Sequence, residues 1–304
     1  MRMRRTMFIS FFSVLLLSTL AIFYIGPENA LQKILRTYFQ VQGIERAYAN
    51  TPNYRIAYYE GGKEHKETVI LLHGLGGNAT TSWFRLLPVL TKKYHVIAPD
   101  LIFANFADYI QNSTYSITTD TRLVEQLMQA KQVDSYHIAG LSVGGLIAMH
   151  VAQNNPDAVK SVALITPAGH NLQELTERLT SKGDKAGEWF YKNLFQHPFP
   201  VPDFILSGQF ERINTIVKAI PTMLGANQHE LTPRYTDIVQ PTLVLWGKDD
   251  KILPIKYATS LVEALPSATL QALSDCGHGV VWDQPKLLEK ALLSFLHDQT
   301  TATK

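Results

Sequence analysis

A serine set between glycines, Gly140-Leu141-Ser142-Val143-Gly144, is the group in this sequence whose type and setting best suit covalent chemistry. A chain of this length holds such a pattern by chance in roughly one case of ten, so the flanks decide. Ser135–Ala139 reads as a strand leading into the motif, and Leu146–Gln153 reads as a helix leaving it. A serine on the sharp turn between them stands at the end of a sheet with its hydroxyl presented outward. At so tight a turn a Cβ at 140 or 144 would collide with the neighbouring strand or helix. The serine also lies at a helix N-terminus, whose dipole favours developing negative charge.

A serine alcohol is a weak nucleophile near neutral pH. It needs a base, and the base needs a group to hold it. With a serine on a strand-to-helix turn, the acid and then the histidine follow along the chain. Downstream of Ser142 lie His150, His170, His197, His229, His278 and His297. His278 is the one in a turn directly after a strand, between glycines, in Cys276-Gly277-His278-Gly279. The other five read as ordinary surface or core histidines. The acid belongs at the end of the strand Thr242–Trp246, where Asp249 and Asp250 stand side by side. Residue type and position leave these two level.

A tetrahedral intermediate needs hydrogen-bond donors at its oxyanion, each worth a few kcal/mol. His73-Gly74-Leu75-Gly76-Gly77 closes the apolar run Thr68–Leu72 with a glycine-rich turn. The N–H groups of Leu75 and Val143 are the expected donors. His73, just before that turn, reads as a structural hydrogen-bonding residue.

The elements that must hold these groups alternate. Strands are expected at Tyr54–Glu60, Thr68–Leu72, Tyr94–Ala98, Ser135–Ala139, Ser161–Thr166, Thr242–Trp246 and Ala268–Leu273. Helices are expected at Ser82–Leu90, Thr119–Ala130, Leu146–Gln153, Ile255–Leu265 and Lys286–His297. Short apolar runs between helices predict a mostly parallel sheet covered on both faces. From about Ala168 to Pro233 the rhythm breaks. That stretch is rich in Trp189, Phe190, Tyr191, Phe195 and Phe210, and it predicts a helical insertion over the sheet.

The motifs HGLGG, GLSVGG, TPAGH, WGKDDKILP and CGHGVVWDQP, in that order, resemble the α/β-hydrolase superfamily over residues from about 48 to 298. More narrowly they resemble the membrane-anchored monoacylglycerol lipases and related bacterial lipases and esterases. The resemblance implies the α/β-hydrolase fold: a mostly parallel eight-stranded sheet, helices on both faces, and a helical cap inserted after the sixth strand. In that family's W-G-x-x-D pattern the acid is the third residue after the glycine, which is Asp250 here. The resemblance also implies Leu75 and Val143 as oxyanion donors. One departure concerns the stretch after Pro99-Asp100, where the family often has Pro-Gly-x-Gly. Here it reads Leu101-Ile102-Phe103-Ala104-Asn105-Phe106, an apolar loop that bears on pocket shape rather than on the triad.

Bulk properties narrow the setting. Apolar residues make up 46% and charged residues 18% of the chain, the range of an ordinary globular protein. A net charge of +2 is too small to argue for a nucleic-acid partner. Cys276 is the single cysteine, so no internal disulfide forms. Arg2, Arg4 and Arg5 precede an uncharged run, Thr6–Pro27. As a helix that run would reach about 33 Å, enough for a hydrocarbon core of about 30 Å. Residues 1–27 are therefore expected to form an uncleaved transmembrane anchor, with the catalytic domain outside the cytoplasm by the positive-inside rule. A cleaved signal sequence ending near Thr19-Leu20-Ala21 is the alternative. Residues 28–47 are expected to form an amphipathic linker helix, with Leu31, Ile34, Leu35 and Tyr38 at helical spacing.

The expected activity is hydrolysis of carboxylic esters through an acyl-enzyme on Ser142, with His278 as base and Asp250 as the acid that orients it. Monoacylglycerols or medium-chain esters are the candidate substrates. The chemistry requires no metal or organic cofactor. The rivals are a carbon–carbon bond hydrolase using the same triad, an acyltransferase, and an inactive membrane-tethered binding module.

Overall fold

The computed structural model describes residues 27–102, 116–169, 172–198, 203–224 and 231–302. The expected membrane segment, up to residue 26, lies outside the described residues, as do Phe103–Phe106 of the apolar loop. Among the described residues no helix is long and apolar enough to cross a membrane.

The strands are β1 (Glu45–Asn50), β2 (Arg55–Gly61), β3 (Thr68–Leu72), β4 (His95–Pro99), β5 (Tyr136–Leu141), β6 (Val159–Ile165), β7 (Thr242–Gly247) and β8 (Ala268–Leu273). They form one sheet in the order β1-β2-β4-β3-β5-β6-β7-β8. The pairs β1/β2 and β2/β4 are antiparallel. All other pairs, from β4/β3 through β7/β8, are parallel.

Strand β3 shows why a continuous apolar run marks a central strand. Successive side chains point to opposite faces, and here both faces are buried. Ile70 and Leu72 join one core, and Val69 and Leu71 join the other. The first core is covered by α4 (Ile117–Ala130), α5 (Val143–Asn154) and α9 (Lys256–Ala264). The second is covered by α1 (Pro27–Val41), α2 (Ala79–Trp83), α3 (Leu87–Leu90) and α11 (Pro285–Ala302). Between β6 and β7 the chain forms α6 (Leu172–Thr180), α7 (Ala186–Leu194) and α8 (Asp203–Leu224), the cap. A short helix, α10 (Val280–Asp283), precedes α11.

Several boundaries differ from the sequence expectation, among them the end of the closing helix, which runs to Ala302 rather than His297, and the three that follow. The linker helix ends at Val41, and Glu45–Asn50 is strand β1 rather than helix. Gly43 stops the helix with φ +73°. Ile44 N–H bonds the Phe39 carbonyl (2.9 Å) and Gly43 N–H bonds that of Gln40 (3.1 Å). This is a Schellman ending, with Ile44 and Phe39 in the same apolar cluster. The expected helix Ser82–Leu90 is two short helices. The first begins earlier, at Ala79, because the Asn78 side chain caps Thr81 N–H at 2.9 Å. Helix α5 begins at Val143, directly after the serine, rather than at Leu146.

Candidate active site

The serine turn is as tight as the glycines require. A Cβ on Gly140 would fall 2.2 Å from the Gly144 carbonyl oxygen, and one on Gly144 would fall 2.3 Å from that of Leu72. Ser142 itself holds φ 53° and ψ −117°, which L-residues rarely adopt. The neighbours over-determine that geometry. Ser142 N–H donates to the Ile165 carbonyl, and its own carbonyl accepts from Ala168 N–H, both at 2.9 Å. As the first residue of α5, Val143 has a backbone N–H with no intrahelical acceptor.

The other expected donor stands on a turn closed by Gly77 N–H to the Gly74 carbonyl at 3.2 Å. Gly76, third in that turn, has φ +73°, the left-handed position a type II turn demands. The cap covers it closely: a Cβ on Gly76 would lie 2.2 Å from Cδ1 of Ile213 on α8.

His73 is fully buried and structural, as its position suggested. Its Nε2 accepts the Leu101 N–H at 2.9 Å, so Nδ1 carries the proton and donates to the Gly74 carbonyl at 3.0 Å. Burial pushes its pKa down to about 4, against the opposing hydrogen bond to Gly74. The imidazole thus ties the Gly74–Gly77 turn to the segment after β4 as a neutral group.

Asp249 and Asp250 point in different directions. Asp249 is exposed and its carboxylate accepts from Cys276 N–H at 3.3 Å. Asp250 is buried, and its Oδ2 lies 2.8 Å from His278 Nδ1. Its Oδ1 accepts the N–H groups of Ile252 and Leu253, each at 2.8 Å. Trp246 Nε1 donates to the Leu253 carbonyl at 2.8 Å and fixes the same loop from beneath.

A carboxylate only accepts hydrogen bonds, so His278 Nδ1 carries the proton and Nε2 offers a lone pair. That Nε2 is buried and has no hydrogen-bond partner. Thr166 Oγ1 donates to the His278 carbonyl at 3.3 Å. Segment 165–168 therefore bonds both the serine turn and the histidine turn. The Phe190 and His278 rings meet edge-to-face, with centroids 6.5 Å apart.

The cap fastens to the same loops. Gly279 N–H donates to the Leu194 carbonyl at 2.7 Å. Asp283 Oδ2 accepts from Gly277 N–H at 2.8 Å and from Gln196 N–H at 2.9 Å. Arg178 donates to the carbonyls of Lys251 (2.8 Å) and Ile252 (3.2 Å), beside Asp250. Neither Asp283 nor Arg178 announces this in the sequence, because the partners lie tens of residues away. The Asp four residues after Gly279, ending a short helix, is the one local signal.

The remaining histidines do other work. His150 Nε2 bonds the Leu231 carbonyl, exposed His197 pairs with Asp275, and His297 is exposed on α11. His170 and His229 lie outside the described residues. At the opposite end of the sheet, His137 Nδ1 lies 2.7 Å from Ser161 Oγ, and its Nε2 lies 3.5 Å from Glu67. Ser161 is fully buried within β6, with no turn or helix N-terminus at its hydroxyl. The three residue types are there without access to a substrate.

Comparison with known proteins bears on the family and the fold. A family model for the alpha/beta hydrolase fold matches residues 67–213 and 211–285. The chain is 25% identical to the monoacylglycerol lipase ABHD6 of Bos taurus, over 92% of this chain and 90% of that protein. It is 29% identical to a 2-hydroxy-6-oxo-6-phenylhexa-2,4-dienoate hydrolase of Burkholderia cepacia, over 80% of this chain and 92% of that protein. Among solved structures, a bacterial membrane phospholipase A superposes with a TM-score of 0.79 at 26% identity, covering 97% of this chain and 99% of that one. The family model covers most of the chain, in keeping with the mostly parallel eight-stranded sheet, and this protein belongs to the α/β-hydrolase fold family.

Proposed function

We propose that this hydrolase cleaves carboxylic esters of acyl lipids, such as monoacylglycerols or medium-chain esters, through an acyl-enzyme on Ser142. The observation that carries this reading is the His278–Asp250 pair: one nitrogen is held by a buried carboxylate and the other is buried and unpartnered. His278 Nε2 takes the Ser142 hydroxyl proton as Oγ attacks the ester carbonyl. The carbonyl π-electrons move to oxygen, and the Leu75 and Val143 N–H groups receive the oxyanion. Collapse expels the alcohol, which leaves with the proton from His278. Water then repeats the attack on the acyl-serine, giving up a proton to His278, and Ser142 recovers that proton as the fatty acid departs.

The lipid assignment rests on the relatives and on the apolar lining near the histidine, where Phe190 and Phe195 belong to the cap. It also rests on the apolar run at residues 6–27, read here as a single-pass anchor that holds the domain at the outer side of the cytoplasmic membrane. A second reading, carbon–carbon bond hydrolysis, is favoured by the Burkholderia cepacia relative, whose substrate is a carboxylate. Such a substrate calls for a cation in the pocket. Arg178 hydrogen-bonds Lys251 and Ile252 and lies over the Trp189 ring, 5.2 Å from its centroid, so its guanidinium is already engaged. Arg212 on α8, whose charge acts on buried His73 and Asp100, is the cation this second reading would use.

The test is p-nitrophenyl ester hydrolysis across acyl lengths by the full chain in detergent, with Ser142→Ala alongside. The expected result is activity that rises from acetate to medium chains and vanishes in Ser142→Ala. Turnover of a dienoate carboxylate without turnover of any ester would replace this reading with the second one.

A further inference from the structure

Helix α1 buries only part of its apolar surface. Leu35 and Phe39 face the domain, and Gln32 accepts a hydrogen bond from Thr80 Oγ1 at 2.7 Å. A second apolar row is left open: Leu31 is 45%, Ile34 63%, Tyr38 40% and Val41 77% exposed. At 100° per residue these four fall within an arc of about 80°. Among the described residues only four other large apolar side chains are comparably exposed, Tyr48, Val239, Leu270 and Leu287, each on a different element or loop. The row on α1 is thus a built surface rather than scatter. The exposed polar side chains Lys33, Arg36, Thr37 and Gln40 occupy a separate arc of the same helix, two of them cationic.

The position of α1 says what covers it. It begins at Pro27, directly where the uncharged run of residues 6–27 ends, so no linker separates the two. Its inner side packs on α2, which follows the oxyanion turn, and on cap helix α8. We propose that α1 lies in the membrane interface, with Leu31, Ile34, Tyr38 and Val41 among the acyl chains, while Arg36 turns inward to the Tyr59 hydroxyl and Asp100. A helix with one apolar face, one polar face and low overall hydrophobicity takes this attitude. The inference rests on the anchor reading above and goes beyond it. A span alone tethers the domain at any angle, whereas α1 fixes the face that carries the oxyanion turn and cap against the lipid.

Nitroxide labels on the full chain in phosphatidylethanolamine–phosphatidylglycerol vesicles test this. Single cysteines are introduced as Ile34→Cys, Val41→Cys, Gln40→Cys and Leu287→Cys. Native Cys276 is buried, with its thiol pushed up to about 12, and stays unlabelled. Labels at 34 and 41 should be reached by oxygen and shielded from a water-soluble nickel reagent, with the opposite result at 40 and 287. Equal nickel access at all four positions, in protein that resists carbonate extraction, would overturn the docking of α1 and leave the anchor intact. Carbonate release with shielded labels would overturn the anchor and keep the docking. Shielding with dipolar broadening between labels of two molecules would replace lipid by a second copy. Ile34→Gln with Val41→Gln should lower hydrolysis of vesicle lipid roughly tenfold and leave p-nitrophenyl butyrate hydrolysis in detergent unchanged.

Discussion

Asp250 holds His278 with one carboxylate oxygen, at 2.8 Å, and anchors itself to its own loop with the other. The division of labour predicts the effect of Asp250→Asn. The amide oxygen can still accept from Ile252 and Leu253, so the loop should keep its shape. The amide N–H₂ then faces Nδ1 and forces the proton onto Nε2, leaving no base for Ser142. In comparable triads this costs roughly 10⁴-fold in kcat. Ester turnover should fall by that order with the unfolding midpoint nearly unchanged. A loss below tenfold would remove Asp250 from the acid role.

Asp283 predicts a different signature. Its Oδ2 joins the histidine turn at Gly277 to the cap at Gln196. Asp283→Ala removes the acceptor of the Gly277, Gln196 and His197 N–H groups, at about 1–3 kcal/mol of stability. Hydrogen exchange at residues 194–198 should speed up, and the histidine turn should exchange faster with it. Unchanged exchange on either side would mean that the carboxylate does not couple them.

His73 predicts acid sensitivity. Burial holds it neutral, with a folded pKa of about 4, against about 6.5 in the unfolded chain. Between those values the unfolded state binds the extra proton. The stability from neutral His73 is therefore complete above pH 6.5, declines as pH falls toward 4, and is lost below. The difference is on the order of 3 kcal/mol. Urea unfolding from pH 7 to pH 4 should show this slope, and His73→Gln should flatten it while lowering stability at pH 7.

Gly76 predicts a coupling across the cap. An alanine there meets φ +73° and Ile213 Cδ1 at 2.2 Å. The left-handed backbone costs about 1–2 kcal/mol, and the clash displaces the cap. Gly76→Ala should lower kcat, and Ile213→Ala in the same chain should recover part of the loss. Strict additivity in that double-mutant cycle would separate the oxyanion turn from the cap.

Much of this was legible along the chain because the cues are local. The continuous apolar run at Val69–Leu72, the glycines around Ser142 and the Gly-His-Gly turn each sit within a few residues of what they build. Asp249 and Asp250 are level by residue type because the same side chain occurs twice; the W-G-x-x-D resemblance favours Asp250, and burial separates them in space. Strand β1 was hidden because Glu45–Asn50 alternates weakly at an exposed sheet edge, and the helical spacing before it ran on past Gly43. Asp283, Arg178 and Thr166 were invisible as site residues. Their roles come from bonds to segments 87, 73 and 112 residues distant.

The cap fastenings carry a consequence for turnover. The bonds that keep the cap seated, Asp283 to Gln196, Arg178 to residues 251 and 252, and Leu194 to Gly279, end on the two loops that aim the acid and the base. Cover and site are therefore tied as one piece: any displacement of the cap has to break bonds whose other ends are the Asp250 and His278 loops.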